Sequence, residues 1–193
     1  MVSEVEILKL SAIAHTYLGL NSQEIRKFSQ DDVYSSDDLN KDLSLGGKDA
    51  NRPHKEKYKV HAGDVVMHLM SNQAAVVSQK SDGKIISQRI MKLDIDPRKV
   101  NNWYLCYLLN ESNTIKHQAF QAMDGSILRH LAISNIRDFN IELPPLQRQK
   151  EIGEMYRKYL INERLLEVKK QLIRKSVLNV LNKMNNDKEN ENG

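Results

Sequence analysis

The sequence predicts an α/β-class, mixed α+β fold: a small curved mixed sheet with helices, followed by a long C-terminal helix of coiled-coil type. Three observations predict it. Short β-rich runs separated by turn formers occupy residues 59–95. The hydrophobic period then lengthens from two to three or four after Asp96. After the adjacent Pro144 and Pro145, a helical pattern runs to about Met184 with a single glycine, Gly153, and no further proline.

The elements follow in order. "VEILKL" alternates and predicts a first strand. "SAIAHTYLGL" predicts a short turn capped by Ser11 and ended by Gly19. The polar stretch "SQDDVYSSDDLNKDLSLGGKDANRP" predicts a long loop. "YKVHAGDVVMHLM" predicts two strand pieces about a turn at Ala62-Gly63-Asp64. "AAVVSQ" and "KIISQRIMKLDI" predict two more, separated by a turn at Ser81-Asp82-Gly83. Asp96-Pro97 has the form of an N-cap and a first helical position, and Val100, Trp103, Tyr104, Tyr107 and Leu108 give an inner helix face to about Asn110. A weaker helix is predicted over 113–123. "MDGSILRHLA" reads as a loop, and "SNIRDFNIEL" as a helical turn with a last strand.

Pro144 cannot donate to a sheet ladder and disfavours helix in its neighbour, so it ends the strand "FNIEL". Pro145 suits the first turn of a helix, where a missing N–H costs nothing. The pair makes a stiff exit into a helix of about 60 Å. This predicts three segments: a globular domain over 1–143, a helical arm over 144–185, and a disordered polar tail over 186–193.

The arm carries apolar residues every seven positions: Ile152, Tyr159, Leu166, Ile173 and Val180. Tyr156, Val177 and Met184 form a partial companion row, and Leu165, Val168 and Leu172 widen the stripe. Polar Asn162, Lys169 and Ser176 interrupt the heptad. The pattern fits a helix that packs on another long helix, with polar breaks that set register. Its plain alternative is a terminal helix lying on its own domain.

Composition narrows the class. At 193 residues with 40% hydrophobic and 28% charged content, the sequence supports one domain plus an appendage. No apolar run approaches a membrane span. The start "MVSEVEILKL" has two glutamates and no basic region, so no secretory leader is expected. The single cysteine, Cys106, sits in apolar "WYLCYLL" and reads as a buried hydrophobe in a reducing compartment, so a cytoplasmic location is expected. Net charge is +4, unevenly placed: −4 over 1–42, +4 over 43–144 and +4 over 145–193. A basic middle is compatible with a polyanionic partner.

Catalytic patterns are missing. "LGGKDA" fails as a phosphate loop, because the first glycine would fall on Asp42 and Asp49 replaces the Ser/Thr. The six histidines lack metal-ligand spacing with cysteine. His61 and His68 fall where a hairpin brings them near each other, and Asp82-Gly83-Lys84 has the D-x-K form of some nuclease sites; both patterns are common by chance. No catalytic residue, metal or cofactor is expected, and binding is the better class.

The C-terminal order is more specific. A Gly-Ser loop, "ISNIRDFNI" and "LPPLQRQKEI" opening a long helix, with "GDVVMHLM" upstream, resemble the specificity subunit of bacterial type I restriction–modification systems. The resemblance spans nearly the whole chain, including "VEILKLSAIA", "ISQRIMKLDID" and "NNWYLCYLLNES". It implies a non-catalytic target-recognition domain that binds double-stranded DNA, mounted on a helical spacer. The full-length subunits of this family carry two recognition domains and two spacer helices that pair antiparallel. Together they read a split site and dock methylation subunits, and with a restriction subunit they direct cleavage. Here only one such unit and no internal repeat is found. A half-size form is therefore expected, pairing as a homodimer through Tyr156, Tyr159, Leu166, Ile173, Val177 and Val180 and reading a split palindrome. The family's methyltransferase signature, Asn/Asp-Pro-Pro-aromatic, is absent, so the chemistry is expected in a partner.

Candidate DNA contacts come from residue chemistry, with Arg and Gln for base edges and Lys and Ser for phosphates. They are Arg52, Lys55 and Lys57 in "NRPHKEKYK", Lys80 and Lys84 about the Ser81-Asp82-Gly83 turn, Gln88 and Arg89 in "ISQR", and Ser126, Arg129 and His130 in "GSILRH". Asp31, Asp32, Asp37 and Asp38 are expected to repel phosphate unless they lie on the far side. Other readings are a stand-alone dimeric DNA-binding regulator, a competitor half-subunit without a methylation or restriction role, and a protein–protein adaptor.

Overall fold

A computed structural model of the chain describes residues 5–47, 56–123 and 131–190, with side chains to residue 186. The elements in order are β1 (Glu6–Lys9), α1 (Leu10–Ile13), β2 (Ala14–Leu18), α2 (Ser22–Ile25), α3 (Ser36–Leu45), β3 (Val65–His68), β4 (Gln73–Val76), β5 (Ile90–Ile95), α4 (Asn102–Glu111), α5 (Asn113–Met123), α6 (Ile133–Arg137), β6 (Asn140–Leu143) and α7 (Leu146–Asn190). Short 3-10 turns lie at Gln30–Asp32 and Gln79–Ser81.

Four strands form a sheet in the order β2-β5-β3-β4, and β1 pairs with β6 in a separate ribbon. All these strand pairs are antiparallel; parallel character is limited to the bridges Leu20↔Ser87 and Val33↔Ile85. The β1–β6 register, Glu6↔Leu143 to Lys9↔Asn140, ties the start of the chain to the strand before the prolines. Val65, Val66, Ala74, Ala75, Ile90 and Met91 are buried in the sheet, and Trp103, Leu105 and Cys106 of α4 cover it. The mixed α+β class and the long terminal helix agree with the sequence reading. Among the described residues no helix is long and apolar enough to cross a membrane.

Four local expectations are corrected. The segment predicted as a turn at Ser11 contains α1 and the strand β2, whose brief "AHTYL" among the described residues gains its ladder from β5. The predicted loop over 29–53 contains α3. Ser35 caps it reciprocally with Asp38, and Gly46 closes it with a φ of 63°, a left-handed value that favours glycine. Its polar sequence hides its role because Asp42 faces inward, fully buried, accepting hydrogen bonds from Tyr34, Ser78 and Ser81. The helix expected from Asp96-Pro97 begins only at Asn102, with Asn101 as its cap. Helical structure also persists to Asn190, beyond the tail boundary predicted at 186.

One side chain explains both the late start of α4 and the exit of α7. Gln149 is buried; its Oε1 accepts from the Asn101 N–H at 3.0 Å, and its Nε2 donates to the carbonyls of Lys99 (3.1 Å) and Pro144 (2.9 Å). These bonds tie the proline corner to Lys99 and to Asn101, which is extended and caps α4. One turn on, Gly153 lets α7 cross α4 closely: a Cβ there would meet Asn101 Oδ1 at 2.5 Å and the Tyr104 N at 2.7 Å.

Candidate nucleic-acid interface

The ribbon over 84–90 carries three of the predicted DNA contacts, Lys84, Gln88 and Arg89. Its backbone is laced on both sides: the Ile85 N–H donates to Asp32 O, the Tyr34 N–H to Ile85 O, and the Ile86 N–H to Tyr58 O, each at 2.8 Å. It ends in a tight turn, where the Ile90 N–H donates to Ser87 O and Gln88 and Arg89 occupy the tip. Beside the tip lies a cleft of about 430 Å³, walled by α2, the start of α3 and the end of β3. Both tip residues line it, together with Ser22, Arg26, Ser36 and His68.

The predicted contacts differ in availability. Arg89 is exposed and forms no ion pair among the described residues. Gln88 is exposed and donates to Ser22 Oγ at 3.3 Å. Lys84 is committed to Asp38 at 2.9 Å in a largely buried pair. Asp38 therefore lies beside the ribbon, not on a far side, and neutralises one of its cations. Burial works against ionising Asp38, but hydrogen bonds from Lys84 and Ser35 outweigh it and hold the carboxyl below its ordinary range. Lys57 and Lys80 are exposed, with no ion pair among the described residues. Arg52, Lys55, Ser126, Arg129 and His130 lie outside the described residues.

Sequence reading missed several residues at this surface. Arg26 and His68 join the cleft from elements far apart in sequence, and no local spacing announces that. His68 Nδ1 takes the Ser71 N–H at 3.2 Å, which leaves the ring proton on Nε2, 3.4 Å from Ser36 Oγ. Burial, then the nearby Arg89 charge, lowers its pKa, so the ring stays neutral near pH 7. Lys92, on β5, is buried; its ammonium donates to the carbonyls of Glu56 and Lys59 and lies 3.7 Å from Asp64. It fastens to the sheet the segment that carries Lys57. Asp82 accepts from the Ala62 N–H at 2.9 Å and pairs with His61, while Lys84 turns to Asp38. The D-x-K residues thus serve separate structural contacts.

The arm divides sharply. Tyr156 packs its ring against Trp103 and Tyr107 and is buried, and its hydroxyl bonds Asn110. That corrects its expected availability for a partner helix: α4 already covers it, because Gly153 brings the two helices together. Arg157 donates to Gly46 O at 2.9 Å, the last clasp to the domain before Leu160 and Ile161. Every residue over 162–186 is exposed. That length, about 37 Å of helix, carries Leu166, Ile173, Val177 and Val180 at 52–66% exposure, and Tyr159 just before it stands half exposed.

The described residues form a small mixed α+β domain with a cleft that bears Arg26 and Arg89, carried on a projecting helix. Residues 6–175 match the family of type I restriction modification DNA specificity domains, and the chain belongs to that family. Among solved structures it is similar to the HsdS subunit from Thermoanaerobacter tengcongensis, with 14% identity, TM-score 0.50, and coverage of 86% of this chain and 39% of that one. An S subunit from M. genitalium shares 9% identity and TM-score 0.50, covering 80% and 38% respectively. A chain solved in work on complex assembly and conformational transition of the type I R-M system gives 14% identity and TM-score 0.53, covering 88% and 45%. These likenesses concern the fold. The chain spans 38–45% of the length of these structures. No curated protein matches it.

Proposed function

We propose that the chain reads DNA sequence as a half-size specificity subunit of a type I restriction–modification system in the cytoplasm. Residues 1–143 form the recognition unit, with Lys57, Lys80, Gln88 and Arg89 facing DNA and Lys84 beside them. Arg52, Lys55, Ser126, Arg129 and His130 are proposed to extend this basic surface. Two copies pair through the arm, and the pair docks methylation subunits, and where present a restriction subunit, that supply the chemistry. The chain itself needs no catalytic group, metal or cofactor for this role.

The family match supports DNA reading. The observation that carries the pairing is the exposed apolar stripe over 162–186. An apolar face this long on a projecting helix is a surface for another helix, and a symmetric pair places the same residues on both sides of the contact. Leu166, Ile173, Val177 and Val180 form the contact, with Tyr159 at its edge. Two recognition units held by one rigid two-fold spacer then face two inverted half-sites.

The test is binding of the purified chain, with and without its methylation subunit, to duplexes containing the selected site, over a range of salt. The proposal expects log K to fall with log salt by about 0.9 for each phosphate contacted, and the chain to co-purify with the methylation subunit. Salt-insensitive or absent DNA binding in both settings contradicts DNA reading. DNA binding without any association with the methylation subunit points instead to a free regulator.

A further inference from the structure

The DNA-reading function proposed above leaves open which element meets base edges, and the inference here rests on that function. The turn Ser87–Ile90 combines three properties. Its backbone is fixed: besides the closing bond of the turn, the Gln88 N–H donates to Leu20 O at 2.7 Å, and Arg89 O accepts from the Leu69 N–H at 2.9 Å. The two tip residues are therefore carried on a frame that cannot swing, which is what readout within a fraction of an ångström requires.

The tip also bears the two side-chain types whose shapes match purine edges in the major groove. One Gln88 Nε2 hydrogen is spent on Ser22 Oγ. That bond sets the plane of the amide, yet leaves Oε1 and the second N–H for a ligand. The Arg89 fork has no carboxylate partner among the described residues.

The surroundings suit a nucleic acid. Arg26 lines the same cleft, is exposed, and likewise has no ion pair among the described residues. Two guanidinium groups with no ion pair among the described residues at one cleft favour an anion, and the oriented Gln88 amide lining the same cleft adds a neutral, directional recognition group. A phosphate alone uses the cations and leaves the amide idle. A nucleotide step, with phosphate outside and base edge inside, uses all three. His68, whose pKa is lowered first by burial and then by the Arg89 charge, lines the cleft without adding charge near pH 7.

We infer that the Ser87–Ile90 turn is the base-reading element: Arg89 takes the O6/N7 edge of a guanine, Gln88 takes the N6/N7 edge of an adenine, and Arg26 holds a phosphate beside them.

Selection from randomised duplexes by the full chain in complex with its methylation subunit tests this, using wild type, Arg89→Ala, Arg89→Lys and Arg26→Ala. The inference expects both Arg89 variants to lose discrimination at one G·C position by roughly 5- to 150-fold while other positions persist. Loss in Arg89→Lys marks the fork, since charge is retained. Arg26→Ala should weaken binding to all sequences alike and reduce the salt slope by about one. All three changes lie on exposed side chains, so melting should match wild type and exclude a folding defect. The inference is overturned if Arg89→Ala leaves the motif unchanged or weakens every duplex equally. If the wild-type complex selects no motif at all, the DNA-reading function fails, and this inference with it.

Discussion

The first turns of α7, residues 146–161, and its remainder, residues 162–186, carry the same seven-residue apolar spacing, and they differ in what covers it. In the first stretch Gly153 admits α4 to close range, Gln149 stitches three backbone groups across the junction, and Tyr156 is buried among aromatic rings. In the second each residue is exposed, and α3 and β4 do no more than share an open cleft with Glu163, Arg164 and Glu167. An apolar period says that a helix has a face. The neighbours within reach decide whether that face is core or interface, and here a glycine and a buried amide mark the switch.

The comparison is broken most severely at the crossing. Gly153→Val would drive a Cβ into the Tyr104 backbone and into Asn101 Oδ1, a side-chain oxygen held in place by the Tyr104 N–H that it caps. It should cost about 3 kcal/mol through overpacking and about 1 more through loss of the α4 cap, read as a collapse of the melting transition. Gln149→Leu keeps the volume but orphans the Asn101 N–H and two carbonyls; denaturant titration should show a loss of about 2–4 kcal/mol. Tyr156→Phe keeps the ring contacts and drops only the hydroxyl, so about 1 kcal/mol is expected in the same assay. A smaller loss at Tyr156 than at Tyr159 or Ile173 would contradict the division of the helix. Ile173→Glu should leave monomer stability within about 0.5 kcal/mol, yet abolish self-association in sedimentation.

A pH series sharpens the domain side of the comparison. The Asp38 carboxyl is held below its ordinary range, so its contribution is complete above about pH 4 and is lost as pH falls through the lower folded value. Asp42, one helical turn on, is shifted the other way. Burial raises its pKa and outweighs the hydrogen bonds from Ser78, Tyr34 and Ser81, so its ionisation lowers stability as pH rises through the folded value. Asp38→Asn should flatten the acid limb of the stability curve, and an unchanged limb would contradict the Lys84–Asp38 pairing.

Much of the architecture was legible because it is written in local chemistry. The proline pair, the β-rich runs over 65–95 and the period of α7 each declare themselves within a few residues. The element α3 was obscured by its polarity: Asp42 looks like a loop residue until Tyr34, Ser78 and Ser81 surround it. Asp96-Pro97 has the chemistry of a helix start and opens a single turn, with the Lys99 and Val100 N–H groups donating to Asp96 O, but Asn101 is extended and its N–H is taken by Gln149, about fifty residues later. The cleft shows the same limit. Gln88 and Arg89 could be picked out by type, whereas Arg26 and His68 reach them only through long-range folding. Tyr156 shares its heptad row with Val177 and Met184, which are exposed, whereas α4 lies over Tyr156 because Gly153 lets the two helices approach.

The central claim is that two copies, joined through 162–186, read two inverted half-sites. Sequencing of base modifications in host DNA, after co-expression of this chain with its methylation subunit, tests it most directly. The account predicts a split palindromic motif carrying N6-methyladenine on both strands, lost in Ile173→Glu. An asymmetric or contiguous motif, or no new methylation with a subunit shown to be active beside another specificity subunit, would contradict it.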